Sequence, residues 1–370
     1  MKKKSARIKL ELLTNGINIQ EDLDLKSDEA EEKFIYDSYV PTKVKIPSEI
    51  ILPGNVISNV FLTQNSSWEI RGRTLFFDGE EVSKIKFTPE SKFSRRTLSD
   101  GTLASNIGAM FGLEVLGIFV NRFCFFPKIG AECHFCSSAY TQRKAGNKRP
   151  KNLTILQLQE TLQLALDMDN ELFDTIMLTS GAYENPDFGI EEQLKYINGM
   201  KQVANHKTYH LVTLPPKSLD LITELAERGP DTIAFDIEVF DPLLFRKYCS
   251  GKNLQFGYDG MLERFEYAAR VFPRNTVKAG FVCGLEPPET LIKGMEFFGK
   301  LGISSSLNIF HPDRGTQLSQ SPRPSKSYLM EVIAEQNKIN KKFGLIPIFP
   351  KYGRRSSLDT EVYRGCFDDL

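Results

Sequence analysis

Short apolar segments alternate with amphipathic stretches from about residue 112 to residue 343. Six apolar segments predict buried strands, at residues 114–120, 174–179, 209–213, 232–239, 276–282 and 304–310. Helices are predicted around residues 154–168, 190–204, 217–228, 258–271, 288–301 and 325–343. Six strands alternating with helices favour a parallel sheet with right-handed crossovers. The predicted fold class is therefore α/β, with a full or partial (β/α) barrel of parallel strands.

The first 105 or so residues have a different pattern. Residues 74–87 predict a β-hairpin, because Asp78-Gly79 suits a tight turn and apolar residues alternate after it. We expect residues 1–105 to form a small β-rich N-terminal region whose first ~30 residues are partly mobile. Residues 106–322 are expected to form the barrel. Residues 323–370 are expected to form a C-terminal helix and a polar, irregular tail.

Composition excludes several classes of protein. Apolar residues make up 41% and charged residues 25% of the chain, as is ordinary for a globular protein. Lys+Arg and Asp+Glu are both 47, so no global charge favours nucleic acid. The chain has neither the apolar stretch of a secretory signal nor that of a membrane span. We expect a cytoplasmic protein with no nucleic-acid or membrane partner, in which thiols stay reduced.

Three cysteines follow the first predicted barrel strand. Cys124, Cys133 and Cys136 have the spacing C-x8-C-x2-C, at the end of a strand where barrel enzymes place their active groups. Three thiolates can hold a 4Fe-4S cluster and leave one iron open to bind a small molecule. The alternative is a structural-zinc protein that binds a partner. Zinc needs four ligands, and the nearest candidate for the fourth is His134. His134 lies between two of the cysteines, and residues in such a short turn rarely point at the same ion.

The other three cysteines are scattered along the chain, at Cys249, Cys283 and Cys366. Free buried thiols are the simplest interpretation of each. A second cluster built from them is the alternative, although they have no motif spacing.

The cysteine triplet, the aromatic Phe135 before its last member and the barrel that follows resemble the radical S-adenosylmethionine (SAM) superfamily, over about residues 112–320. Residues 237–242 and 284–288 look most like its biotin-synthase-related branch. The usual spacing there is C-x3-C-x2-C, and this chain enlarges the first gap to eight. The resemblance implies an enzyme with two cofactors, a 4Fe-4S cluster and S-adenosyl-L-methionine.

The resemblance also implies a reaction. A cluster on Cys124, Cys133 and Cys136 would cleave SAM reductively, and the resulting 5′-deoxyadenosyl radical would take hydrogen from a small-molecule or cofactor-precursor substrate. The electron would come from a donor such as a flavodoxin or ferredoxin. Lipoyl- or biotin-type sulfur insertion is one option within this class.

Two cofactor-binding positions follow from matched motifs. Ser180 and Gly181 stand after the second strand, where the superfamily has a glycine-containing motif that receives the methionine amino group. On the fourth strand, Asp236 and Glu238 share one face, and buried carboxylates are costly unless they bind something. Glu238 resembles the position that contacts the ribose or methionine part of SAM. The alternative is a salt bridge from Glu238 to Arg246, Lys247 or Lys252.

Three further positions are less specific. Arg246 could neutralise the methionine carboxylate, since its planar fork suits that group. Gly284 resembles the superfamily's adenine-supporting glycine, and the alternative is a glycine required by barrel packing. Arg314, after the sixth strand, could meet an anionic substrate or the cofactor, or could be a solvated loop residue.

The tail contains one motif of its own. Residues 355–357, Arg-Ser-Ser, resemble a motif near the end of lipoyl synthases, where a serine ligates a second cluster. Those enzymes also carry an N-terminal cysteine triplet, and this chain has no cysteine before Cys124. The prediction for residues 355–357 is therefore a polar loop.

Overall fold

The N-terminal region combines one helix with two small antiparallel sheets. The computed structural model describes residues 1–19, 23, 47, 49–63, 65–89, 91–145 and 152–370. Helix α1 (Lys2–Asn15) comes first. Six strands follow: β1 (Glu49–Leu52), β2 (Val56–Asn59), β3 (Trp68–Arg71), β4 (Thr74–Phe77), β5 (Glu80–Lys84) and β6 (Lys86–Phe87). They pair in the orders β2-β1-β6 and β3-β4-β5.

The predicted hairpin is present as β4 and β5, and Asp78 and Gly79 between them have φ angles of 48° and 85°. The expectation of a partly mobile start is wrong for residues 2–15. They form a helix that buries Leu10, Leu12 and Leu13. A run of lysines at its start masked the apolar face in the sequence.

The larger sheet has seven strands: β7 (Gly108–Phe111), β8 (Val115–Asn121), β9 (Thr175–Ser180), β10 (Thr208–Thr213), β11 (Thr232–Glu238), β12 (Val277–Cys283) and β13 (Ser304–Ile309). Strands β8 to β13 lie side by side in chain order and are parallel. Strand β7 pairs with β8 in the antiparallel direction. The predicted six parallel strands are confirmed to within about two residues, and β7 was missed because only four residues carry its pattern.

Helices connect these strands. They are α2 (Ser138–Ala145), α3 (Ile155–Asp169), α4 (Pro186–Ala204), α5 (Leu219–Arg228), α6 (Pro242–Tyr248), α7 (Ser250–Phe256), α8 (Tyr258–Val271), α9 (Pro288–Lys300), α10 (Lys326–Phe343) and α11 (Asp359–Tyr363). A capping box of Thr154 and Gln157 starts α3. The predicted helices are present, whereas α2, α6, α7 and α11 were not predicted. The tail is not irregular, because α11 lies within it and Val362 and Phe367 are buried.

The large sheet is an open partial barrel in the described part of the chain, with β13 and β7 as its edges. The tail lies along one edge, since the Ile309 amide donates to the Ser356 carbonyl at 2.9 Å. It also reaches the N-terminal region, because the Asn59 amide donates to the Arg355 carbonyl at 3.0 Å. The Arg355 guanidinium lies 5.7 Å from the centre of the Phe111 ring at the other edge. The tail thus lines the gap that a full barrel would close with strands.

Alternation along the strands separates the packed face of the sheet from the open one. Ile176 and Leu178 are fully buried in the main hydrophobic core, with residues of the surrounding helices. Met177 and Thr179 point the other way and line a cavity. None of the helices in the described ranges is both long and apolar enough to span a membrane.

Candidate functional site

A cavity of about 460 Å³ occupies the inner face of the sheet. Residues of β7, β8, β9, β11, β12 and β13 contribute to its wall, and most of that wall is apolar. Phe135 and Cys136 line it from the cysteine loop, defined here as residues 122–137, and Arg355 lines it from the tail. The loop follows β8 at its C-terminal end, as predicted. That end of parallel strands is where α/β barrels place their chemistry.

Backbone hydrogen bonds fix the cysteine loop to three parts of the fold. The Phe125 amide donates to the Ala182 carbonyl after β9, at 2.9 Å. The His134 amide donates to Tyr248 at the end of α6, at 3.0 Å, and the Leu318 amide donates to the His134 carbonyl at 3.2 Å. The loop is therefore held by residues from distant parts of the chain.

The three predicted ligand cysteines are neighbours. Cys133 and Cys136 share a turn, in which the Cys136 amide donates to the Cys133 carbonyl at 3.0 Å. Cys124 and Cys133 interact electrostatically, and Cys136 interacts with both. All are free thiols. Burial is the largest cause that raises the pKa of Cys124. A bound metal would therefore be needed to convert this thiol into a thiolate.

The donor set fits an iron–sulfur cluster better than a single zinc ion. Within the described residues, no group of three or more His, Cys, Asp or Glu side chains is arranged around one ion. Zinc needs its ligands within about 2.3 Å of a common centre. A cluster of several irons is larger and is held by thiolates that stand farther apart. Three thiols on one loop are the number that a cluster with one open iron requires, one fewer than the four ligands of a structural zinc ion.

Gly181 lies directly against the first cysteine, and Ser180 precedes it at the end of β9. A Cβ atom on Gly181 would stand 2.9 Å from both Cα and Cβ of Cys124, so only glycine fits there without movement. The Gly181 carbonyl accepts from the Ser180 hydroxyl at 2.8 Å and from the Asn121 side-chain amide at 3.0 Å. The structure thus brings this predicted motif to the cysteine loop.

Glu238 lines the cavity and is paired. Its carboxylate Oε1 lies 2.5 Å from Lys252 Nζ, which also donates to the Asp236 carbonyl at 2.6 Å. Of the three predicted partners, Lys252 is the one in contact. Burial acts to lower the pKa of Lys252, but Glu238 and Cys133 act more strongly together and raise it. The Lys252 ammonium is therefore a permanent positive charge beside the thiols.

Asp236 lies next to this pair but is not among the cavity-lining residues. Burial and, secondarily, the charge of Glu238 raise the pKa of Asp236 to about 7. Gly280 on β12 makes room for it, since a Cβ there would stand 1.8 Å from Asp236 Oδ1. Of the two carboxylates, Glu238 is therefore the one that lines the cavity, and its role toward SAM stays a prediction.

Of the remaining predicted residues, the structure brings some to the cavity and leaves others away from it. Phe135 lines the cavity. Gly284 has φ +111°, and a Cβ would stand 2.9 Å from the Pro324 ring, so packing accounts for the glycine. Arg246 lies on the exposed face of α6 and donates to its own helix at Pro242, so the structure does not bring it to the cavity. Arg314 is exposed and does not line the cavity either.

Several residues at the site were missed or misjudged. His311 Nδ1 lies 2.7 Å from Asp313 Oδ1, and Ser137 donates to Asp313 Oδ2 at 2.6 Å, so this set ties the loop after β13 to the cysteine loop. Arg355, expected in a polar surface loop, lines the cavity. Cys249 is a free buried thiol, as expected, and it lies close enough to Cys133 to raise the pKa of that thiol. In the sequence, only the charge of Arg355 and the position of His311 at a strand end indicated that these residues could lie at the site.

Comparison with known proteins gives limited matches. No protein-family profile matches the chain. The bacteriochlorophyllide c C-7(1)-hydroxylase of Chlorobaculum limnaeum is 25% identical over 118 residues, which is 32% of this chain and 29% of that protein. The match therefore spans less than a third of the relative.

Two solved structures are similar in part. HydG, a maturase of the [FeFe]-hydrogenase, has 14% identity and a TM-score of 0.48, over 63% of this chain and 51% of its own. A radical SAM methyltransferase from Sphaerobacter thermophilus has 12% identity and a TM-score of 0.43, over 77% of each chain.

Proposed function

We propose that this chain is a radical SAM enzyme that holds a 4Fe-4S cluster on Cys124, Cys133 and Cys136. The observation that carries the proposal is the grouping of three thiols in one loop at the C-terminal end of β8, where Cys136 lines a cavity inside a partial α/β barrel. When bound, such a cluster supplies the electron that breaks a carbon–sulfur bond of SAM and releases a 5′-deoxyadenosyl radical. The radical then abstracts hydrogen from a substrate.

The chain's own residues bind and orient SAM in this proposal. Gly181 allows the β9 end to approach Cys124 closely, and this end of the strand would meet the methionine ammonium. Glu238 lies across the cavity and accepts from the sugar or the ammonium. Lys252 holds Glu238 in place and offsets negative charge at the thiolates.

The apolar wall would exclude water and competing hydrogen donors from the radical. Such a wall favours a small-molecule substrate with an apolar framework. By its name, the curated relative hydroxylates a bacteriochlorophyllide, which is a ligand of this kind. Residues of β7, β8 and β13 are the part of the wall that we assign to the substrate.

Sulfur insertion of the lipoyl or biotin type has less support. It would need a second cluster, and the three other cysteines are not grouped at one place in the structure. Cys249 lies beside Cys133, whereas Cys283 is buried in β12 and Cys366 is buried in the tail. We propose a reducing, cytoplasmic setting for the six free thiols, and a flavodoxin or ferredoxin as the electron donor.

The decisive experiment compares SAM cleavage in matched cysteine variants. Anaerobically reconstituted, reduced protein is expected to form 5′-deoxyadenosine from SAM. Cys124→Ala, Cys133→Ala and Cys136→Ala are expected to lose both the iron–sulfur absorbance and the product. Cys366→Ala removes a buried thiol remote from the cavity and is the matched control, expected to retain both. Equal product from the three variants, or a colourless wild type with one tightly bound zinc, would overturn the proposal.

A further inference from the structure

A histidine and a buried carboxylate line the cavity from the loop after β13. His311 Nδ1 lies 2.7 Å from Asp313 Oδ1, and the two side chains are 20% and 7% exposed. Both residues belong to the cavity wall. The roles assigned above to the cysteines, Gly181 and Glu238 do not involve this pair. It stands beside β13, in the part of the wall that we assign to the substrate.

The carboxylate of this pair is held in place by neighbouring segments. Ser137, in the cysteine loop, donates to Asp313 Oδ2 at 2.6 Å, so both oxygens of the carboxylate are engaged. The Asp313 carbonyl accepts from the Thr316 hydroxyl at 2.7 Å and closes a turn. Gly315 in this turn has φ +79°, and a Cβ there would overlap the Tyr140 ring of α2. The position of Asp313 is therefore fixed from two sides.

The plane of the imidazole is fixed by the N-terminal region. The ring centres of His311 and Phe61 are 4.3 Å apart, with 39° between the two planes. Phe61 is fully buried, and the Arg323 guanidinium lies 5.3 Å from the centre of its ring. The imidazole thus has a packing contact on its face and a carboxylate at one nitrogen. Together these contacts set the orientation of the ring before any ligand binds.

The contact with Asp313 decides which ring nitrogen carries the proton. An ionised carboxylate can only accept a hydrogen bond, so Nδ1 of His311 must donate. A neutral imidazole therefore has its proton on Nδ1 and its acceptor at Nε2. An acceptor in the wall selects ligand groups that donate, such as a hydroxyl or an N–H.

Other polar side chains of the wall bind within the protein. Asn308 Oδ1 accepts from Arg354 Nη1 at 3.0 Å and from the Ser356 hydroxyl at 3.2 Å. Glu238 is paired with Lys252. Because most of the wall is apolar, a single well-placed acceptor is enough to orient a ligand in the cavity.

We propose that His311 binds the substrate through Nε2, which accepts a hydrogen bond from a hydroxyl or N–H group on an otherwise apolar molecule. Asp313 is the positioning residue that keeps the ring proton on Nδ1. This inference deepens the proposed function and rests on it, since the ligand is the molecule from which the radical takes hydrogen. The hydrogen bond would orient that molecule toward the radical.

The test compares two probes of similar size, 2-naphthol, which donates a hydrogen bond, and 2-methoxynaphthalene, which cannot. Dissociation constants are measured by equilibrium dialysis on the cluster-reconstituted full chain with SAM, without reductant, so that no turnover occurs. His311→Phe keeps a ring against Phe61 but has no acceptor. Relative to this variant, the wild type is expected to favour 2-naphthol about fivefold, as for one neutral hydrogen bond. The extra methyl group of the second probe affects both proteins alike and cancels.

His206→Phe changes an exposed histidine and is the matched control, expected to keep the wild-type preference. Asp313→Asn tests the positioning role. The asparagine amide can donate to Nδ1 while its oxygen accepts from Ser137, which moves the ring proton to Nε2. The preference for 2-naphthol is then expected to disappear, as in His311→Phe. A merely structural role of Asp313 would weaken the binding of both probes and leave the preference unchanged.

The possible results separate this inference from the proposed function. Equal preferences in the wild type and His311→Phe, or a wild type that binds neither probe, would overturn the inference and leave the proposed function standing. A wild type that favours 2-methoxynaphthalene would mean that Nε2 donates, which also overturns it. A wild type with the expected preference that forms no 5′-deoxyadenosine from SAM after reduction would reject the proposed function, and with it the substrate role of His311.

Discussion

Glu238 and Lys252 form an ion pair at the cavity wall, with Oε1 and Nζ 2.5 Å apart and side chains only 12% and 6% exposed. Glu238 has φ +71°, a left-handed conformation that costs a side-chain-bearing residue about 1–2 kcal/mol. The pairing register between β11 and β12 shifts at this residue. Strain of this kind persists where the surroundings enforce it, and it is concentrated at functional sites.

Glu238→Gln tests the role of this carboxylate in SAM binding. The amide keeps the size of the side chain and an acceptor for Lys252 but loses the charge. We expect the SAM dissociation constant to rise about tenfold, as for loss of one charge-assisted hydrogen bond, with iron content unchanged. Equilibrium dialysis on cluster-loaded protein measures it, and Arg246→Met is the control that should bind normally. Loss of iron in Glu238→Gln would instead indicate a folding role.

Lys252→Met tests what the ammonium contributes to stability. Removing one partner of a buried pair leaves the other charge uncompensated, which typically costs about 3–5 kcal/mol. Because the neutral double variant Glu238→Gln/Lys252→Met has no such charge, it should recover part of that loss. Urea unfolding of the three variants measures the coupling. Strict additivity of the two single effects would contradict the prediction.

Gly181→Ala should impair cluster loading more than folding. The added methyl group would meet the backbone of Cys124 at 2.9–3.0 Å, so Cys124 has to move away from the other thiols. We expect the reconstituted iron content to fall severalfold while the circular dichroism spectrum is retained. Gly260→Ala in α8 is the matched control, since a Cβ there meets only an arginine nitrogen at 3.5 Å. Full iron loading of Gly181→Ala would show that Cys124 tolerates the shift.

Lys9 and Glu361 join the first helix to the tail. Their charged atoms lie 2.9 Å apart, with the two side chains 0% and 1% exposed. Lys9 also donates to the Arg354 carbonyl at 2.7 Å. Lys9→Met should therefore lower the free energy of unfolding by about 3–5 kcal/mol, because Glu361 is left charged and buried.

The exposed pair Arg7–Asp369 joins the same two segments and provides a control for Lys9→Met. Arg7→Met should change stability by less than about 1 kcal/mol, since solvent screens that pair. Chemical denaturation of both variants measures the difference. Equal effects would mean that the buried pair adds nothing beyond the exposed one.

Lys278 should give the stability a measurable pH dependence. Burial, opposed in part by Asp359, lowers the pKa of Lys278 to about 7, against about 10.4 in an unfolded chain. Between these values the unfolded state binds more protons than the native state, so the free energy of unfolding rises with pH. Below pH 7 both states are protonated and the effect is constant.

We therefore expect the stability of the wild type relative to Lys278→Met to increase by roughly 3 kcal/mol from pH 7 to pH 10. Urea unfolding at several pH values measures this difference, and the comparison cancels the contribution of the thiols. The Lys278 ammonium donates to the Asn275 and Ile346 carbonyls, so the variant also loses two hydrogen bonds at every pH. A difference that does not vary with pH would mean that Lys278 titrates normally.

The sequence by itself determined the strands, most of the helices and the cysteine loop. These features depend on local periodicity and spacing: apolar runs such as 232–239 fit only buried strands, and three closely spaced cysteines need no distant partner to be recognised. Ser180, Gly181 and Glu238 also follow from position, because the ends of parallel strands meet at one edge of the sheet.

Only the tertiary structure decided which distant residues complete the site. Lys252 rather than Arg246 meets Glu238, because the break between α6 and α7 turns one inward and leaves the other on the surface. Cys249 reaches Cys133 through the same break, and Arg355 reaches the cavity because the tail lies along β13. Such contacts join different elements of the fold, and their energy depends on burial and packing that no local pattern records.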